Sequence, residues 1–317
     1  MRNLKILIAG LLLAIPGLAM AGVGDLPSGT TWYFHVDLDK MQSADAGKGI
    51  HAWMVDEIFN EVKEEAGVDL EKELDSLTAF SAKGQGPVFL FEGKISQESK
   101  DKLMILIAAE GDISPLKSSG KAYYRFTDGG DPSGDDEKGI GTENIEIQFE
   151  ALEDESWISM SLKNKVLVTS SEGQMKAMLK SGGKISGSRG HNGALLVLTA
   201  EKPLLQAGID SVALGEEEDG DSGWESNIVR NTEQVAFLVA AAANKLAVEV
   251  KLITTEPDMA QSLAAVVRGL ISLVAFNDDM DPEMVALIQG TRVEADGRNL
   301  TISLALDPDL VVSTLSD

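Results

Sequence analysis

No cysteine occurs in these 317 residues. That excludes a disulfide framework, a thiolate nucleophile, a Cys-ligated zinc or iron–sulfur centre and a lipid-anchoring lipobox. Histidine is nearly as scarce, at three positions, and aromatic residues make up only 5% of the chain. Basic residues are short as well: 27 stand against 51 acidic ones, for a formal net charge of −24. Such a surface repels nucleic acid and anionic membrane and attracts cations, basic proteins or basic peptides. Beyond the N-terminus no apolar run reaches the roughly 20 residues that a membrane-spanning helix needs. Gly-x-Ser-x-Gly elbows, Walker A loops and dinucleotide fingerprints are also missing.

What is present begins with the first 21 residues. Arg2 and Lys5 precede an apolar run from Ile6 to Leu18, broken by Gly10, Pro16 and Gly17, and Ala19-Met20-Ala21 form a small-residue cleavage pattern. This is the layout of a secretory signal, with cleavage expected after Ala21. Cleavage removes two basic residues and no acid, taking the formal charge from −24 to −26. A short signal on a cysteine-free chain points to export into a bacterial periplasm or beyond. With 44% apolar residues, the remainder can bury about three quarters of its unfolded surface, enough for a substantial core.

Periodicity then lays out the elements. Thr31 to Leu38 alternates, with Trp32, Phe34 and Val36 on one side and Tyr33, His35 and Asp37 on the other, as a half-buried strand does. Helical spacing of Ile50, Trp53, Met54, Ile58, Phe59 and Val62 predicts a helix over about 46–65 that Gly67 ends. A segment over 70–80, a strand over 88–91, a helix opened by Ser96 and a strand over 123–126 follow. A hairpin turns at Lys163-Asn164, and Ser171 opens a short helix. The Gly- and Ser-rich stretch 181–193 marks a boundary near Ser186.

The second half replays this order. Strands over 194–199 and within 227–239 precede a strand over 246–253, and a helix from Thr255 carries Met259, Leu263, Val266, Val267, Leu270, Leu273 and Val274 on one predicted core face. A hairpin turning at Asp296-Gly297 and a short helix after Asp307-Pro308 complete the parallel. The expected architecture is α+β: a signal peptide (1–21), a first α+β repeat (22–185) and a second (186–317), each a mainly antiparallel sheet with helices packed on one face.

Chemistry-bearing residues are sparse. His35, Asp37 and Asp39 fall two apart along the first strand, a spacing that can chelate a metal or form an acid–base pair. His51 is expected at a helix surface or boundary, and His191 in the Gly-Ser linker. Asp131 and Asp135 resemble the start of a calcium loop, but Asp136 stands where glycine is needed and Thr142 where the bidentate glutamate belongs. Asp279 and Asp281 lie in another acidic cluster able to form a weak, irregular calcium site. The helical methionines Met54, Met104, Met175, Met178, Met259 and Met284 read as core, with an apolar cleft between the halves as the functional alternative.

The layout from TWYFHVDLDKM through SLKNKVLVTSSEGQMKAML, SRGHNGALLVL and VVRGLISLVAFNDD resembles a group of signal-peptide-bearing bacterial proteins of unknown function. That resemblance implies export and a repeated α+β fold, and no catalytic residues. The function expected is an exported, soluble, acidic, non-enzymatic binding or interaction protein of the bacterial periplasm, with an unknown protein or a small apolar ligand as partner. A carrier of a small apolar ligand between the halves, a weak calcium binder and a hydrolase are the alternatives. No nucleic acid, no transmembrane segment in the mature chain and no cofactor other than calcium are expected.

Overall fold

The computed structural model describes residues 29–128, 155–185, 193–205, 230–274 and 282–316. Twelve antiparallel strands form one sheet: β1 (Thr30–Asp37), β2 (Ser76–Ala82), β3 (Pro87–Glu92), β4 (Gly111–Ser118), β5 (Lys121–Asp128), β6 (Glu155–Ser159), β7 (Lys165–Thr169), β8 (Ala194–Glu201), β9 (Thr232–Ala242), β10 (Lys245–Thr254), β11 (Arg292–Asp296) and β12 (Asn299–Leu306). Their order across the sheet is β11-β12-β10-β9-β8-β1-β2-β3-β7-β6-β5-β4. The helices are α1 (Leu38–Ser43), α2 (Lys48–Met54), α3 (Asn60–Ala66), α4 (Leu70–Glu73), α5 (Gln97–Glu110), α6 (Glu172–Ser181), α7 (Pro257–Val274), α8 (Pro282–Gln289) and α9 (Pro308–Ser316). The architecture is therefore α+β, built on a large antiparallel sheet.

Local chemistry explains most boundaries. Ser96 and Ser171 accept hydrogen bonds from the backbone N–H of Ser99 and Gln174, capping α5 and α6. Gly67 adopts φ 64° and ends α3, a conformation that costs a side chain more than it costs glycine. Asn164 takes the same left-handed region, φ 58°, in the turn between β6 and β7, where asparagine is tolerated. One turn of π-helix over Val55–Phe59 joins α2 to α3 and sets Phe59 into the core.

Two core layers sandwich the sheet. On one face Val36, Leu38, Met41, Phe59, Leu195 and Leu246 meet Ile50 and Met54 of α2, Leu70 of α4 and Val311 of α9. Farther along that same face, Ala260, Leu263 and Ala264 of α7 pack on Leu252, Val293, Leu300 and Ile302. The opposite face carries Tyr33, Val88, Leu90 and Leu167 under Met175, Met178 and Leu179 of α6. Helices thus lie on both faces, not one. β1 consequently has no solvent side: Tyr33, on the face expected to be polar, is buried. The layer that covers it is the one formed with Met175, Met178 and Leu179 of α6.

Several elements differ from the periodicity. β4 and α8 lie in segments that gave no regular signal. His51 is buried, with its ring edge-on to Phe59 at 6.3 Å, because α2 carries it under the sheet rather than along the surface. The apolar side chains of α5 are at most half-buried. The helix is also held by polar contacts: Lys100 is buried and its Nζ donates to the carbonyls of Met160 and Leu162, while Ser99 Oγ and Ser96 N donate to Glu73. A buried lysine paired with carbonyls is costly to unpair.

Met175→Ala, which empties a fully buried site, is expected to lower unfolding stability by about 3 kcal/mol in urea denaturation. A loss below about 1 kcal/mol would mean that α6 is not packed as described.

Candidate functional site

The residues singled out by spacing divide rather than converge. β1 places Tyr33, His35 and Asp37 on one face. His35 Nδ1 lies 2.9 Å from Thr78 Oγ1, its neighbour across β2. Thr78 also hydrogen-bonds the Tyr33 side chain, and the Tyr33 and His35 rings stack with centroids 6.5 Å apart. Burial pushes the Tyr33 hydroxyl well above the ordinary tyrosine range. Burial also lowers the His35 pKa below its usual 6.5; Asp37 opposes that shift and Lys40 adds to it.

Asp37 is otherwise engaged. Its Oδ1 accepts the backbone N–H of Lys40 at 2.9 Å and its Oδ2 pairs with Lys40 Nζ at 2.8 Å, so it caps α1. Asp39 does not continue the strand face: it lies in the first turn of α1 and is exposed. The strand ends at Asp37, so the two-residue spacing stops carrying side chains to one side. Among the described residues no three or more His, Asp or Glu side chains gather where they could hold a metal. Asp131, Asp135, Asp279, Asp281 and His191 lie outside the described residues. Thr78, whose hydroxyl lies against His35, is buried. The Tyr33–Thr78–His35 chain is thus a polar seam inside the sheet layer.

The unusual surface is apolar. The expected core face of the helix from Thr255 held Met259, Leu263, Val266, Val267, Leu270, Leu273 and Val274. In the structure the buried face of α7 is instead centred on Ala260, Leu263 and Ala264, with Met259, Val267 and Ile271 packed beside them. Val266, Leu270 and Leu273 remain 51%, 53% and 66% exposed. The Val274 side chain lies outside the described residues. Two alanines one turn apart let the helix approach the strands closely, and this rotates the larger side chains off the sheet.

The direction of the exposed stripe follows from the other flank. Arg268 Nη2 donates to the Val293 carbonyl at 2.8 Å, and Gln261 Nε2 to the Ala295 carbonyl at 3.5 Å, both on the edge strand β11. At 100° per residue, Gln261 and Arg268 lie on one side of the buried face and Val266, Leu270 and Leu273 on the other. The stripe therefore flanks α7 toward the middle of the sheet. There a row of apolar side chains crosses four strands in register, Phe34↔Leu198↔Phe237↔Val250, continuing to Ile302 beneath α7. Leu198 is 43% exposed. The helix flank and the sheet row outline an apolar groove on the same face as α2 and α9.

Spacing alone missed this groove because α7 is apolar around most of its circumference, with Asp258 and Arg268 its only charges. The Ala260–Ala264 pair was the signal that could have oriented it.

No family model matches the chain, and no curated protein matches it. Among solved structures it is similar to three crystal forms of TP0453. Form III gives a TM-score of 0.44 at 10% identity over 93% of this chain and 97% of that one. Form I gives 0.41 at 10%, over 94% and 97%, and form IV 0.46 at 9%, over 94% and 98%. At these values the likeness carries no argument about function. No described helix is long and apolar enough to cross a membrane.

Because the folded pKa of His35 is depressed, the unfolded chain binds the extra proton first as pH falls. Stability from the neutral imidazole is complete above 6.5 and is lost below it, down to the folded pKa. The melting temperature of His35→Asn, which keeps a partner for Thr78, is expected to fall less steeply than wild type below pH 6.5. Equal slopes would show that His35 does not carry this dependence.

Proposed function

We propose that this chain is an exported, acidic, non-enzymatic binding or interaction protein of the bacterial periplasm, and that the apolar groove beside α7 is its contact surface. One observation carries the reading. Val266, Leu270 and Leu273, aligned at i, i+4 and i+7, face outward on a chain whose formal charge is −24. Three large apolar side chains and Leu198 together present on the order of 300 Å², the lower end of the size of a monomer's largest apolar patch, which is often functional. Export rests on the signal sequence in residues 1–21. The divergence of His35, Asp37 and Asp39 favours binding over hydrolysis.

We also infer that the fold arose from two related α+β units. The strand order β1-β2-β3-β7-β6 runs outward from mid-sheet as β8-β9-β10-β12-β11 does. A helix follows the third strand in each series, and another follows the final hairpin. The match is incomplete, since β4 and β5 have no counterparts in the second series, and α6 packs on the face opposite α9.

A carrier of a small apolar ligand is the second reading, favoured by the half-exposed floor at Leu198. A photo-crosslinking residue at position 270, compared with one at exposed Lys117 on β4, separates binding from general stickiness. Discrete adducts from the producing cells at position 270, absent at 117, are expected. No adduct at 270, or the same adducts at both, would contradict the assignment.

A further inference from the structure

We propose that the groove takes a cationic amphipathic helix from a partner protein. This inference rests on the binding reading above and adds the chemistry and shape of the occupant. From Met259 to Val274 the only charged side chain is Arg268, and it is turned to the other flank, on the Val293 carbonyl. The stripe itself is therefore neutral and apolar. Exposed Glu256 and Asp258 stand at the N-terminal end of α7, about 12 Å along the axis before Val266, and the chain as a whole carries a formal charge of −24. A partner with an apolar seam bordered by Lys or Arg satisfies both features: it buries the stripe and is attracted by the field around it. A second copy of this chain brings the same negative charge. The patch, on the order of 300 Å², is also well short of the roughly 800 Å² per partner of a stable dimer.

Secondary structure of the occupant follows from the sheet edges. A strand-adding partner needs a free edge. At β11, Arg268 and Gln261 already occupy the Val293 and Ala295 carbonyls. At β4, Pro115 removes a backbone donor in mid-strand. The exposed large apolar side chains of α7 stand on the helix flank, away from both edges. Val266, Leu270 and Leu273 span about 10 Å along its axis, which two to three turns of a partner helix would cover. A sheet row supplies the floor, and recognition is of the helix-in-groove kind, by anchors at i, i+3, i+4 and i+7.

The test is isothermal titration calorimetry of the full mature chain against a synthetic Leu/Lys amphipathic peptide of about four helical turns. A Leu/Glu peptide of the same apolar pattern, and phosphatidylcholine vesicles containing phosphatidylglycerol, are titrated alongside. Val266→Ser and Leu270→Asn probe the groove; Leu106→Asn, on exposed α5, is the control, and all three positions are exposed enough to leave folding intact.

The Leu/Lys peptide is expected to bind, about tenfold more weakly to each groove variant and equally well to Leu106→Asn. Equal binding to wild type and both groove variants would overturn the proposal as mere charge attraction. So would Leu/Glu binding as tight as Leu/Lys, or vesicle binding without peptide binding. If the peptide fails while the neutral dye Nile red binds wild type and not Leu270→Asn, the cationic helix is rejected and the apolar binding site stands.

Discussion

Everything in this molecule hangs on the antiparallel pairing of β1 with β8. Five residue pairs, from Trp32↔Ala200 to Val36↔Leu196, join two series of strands that are otherwise separate in sequence. Without that seam the two series would each expose an edge. With it, one sheet carries a continuous apolar face, along which Phe34, Leu198, Phe237 and Val250 align. The pairing also makes β1 an interior strand; Tyr33 is buried in the layer under α6, and His35 meets Thr78 across the neighbouring β1–β2 pairing. Each cross-strand pair contributes about 0.2–1 kcal/mol, so the seam is modest in energy but decides the topology.

Much of the fold was legible in the sequence. The strands over β1, β3, β8, β10 and β12, the caps at Ser96 and Ser171, and the turns at Gly67, Asn164 and Gly297 all follow from local periodicity and backbone preference. What lay beyond reach depended on tertiary contact. Alternation along 31–38 describes two faces but cannot say that both are covered. β4 contains Pro115 and alternates weakly, so its strand state depends on β5 alongside it. α7 is apolar through too wide an arc for its own pattern to choose a buried side; the choice came from Ala260 and Ala264 against the strands. His35, Asp37 and Asp39 part for a local reason: the chain turns into α1 at Leu38, so Asp39 leaves the strand face that Asp37 ends.

The acidic composition and the apolar stripe act in opposite directions. A high net charge keeps chains apart in solution, while the exposed flank of α7 carries Val266, Leu270 and Leu273 and no charge. Arg268 makes that arrangement possible. Its guanidinium serves the edge strand, closing β11 to strand addition, and leaves the opposite flank without a charge to desolvate. α5 differs: Ile105 is 69% exposed, but Leu103, Met104 and Ile107 are half-buried and the helix is held by the Lys100 and Glu73 contacts.

Native-state hydrogen exchange tests the central claim most directly, because it reports whether the sheet opens as one unit. Amides that β1 and β8 exchange with each other are predicted to be as protected as those of β2–β3 and β9–β10 and to open with them. If the β1–β8 amides exchange orders of magnitude faster while both flanking series stay protected, the seam is not the structural centre. The groove floor at Leu198 would then not be a fixed surface.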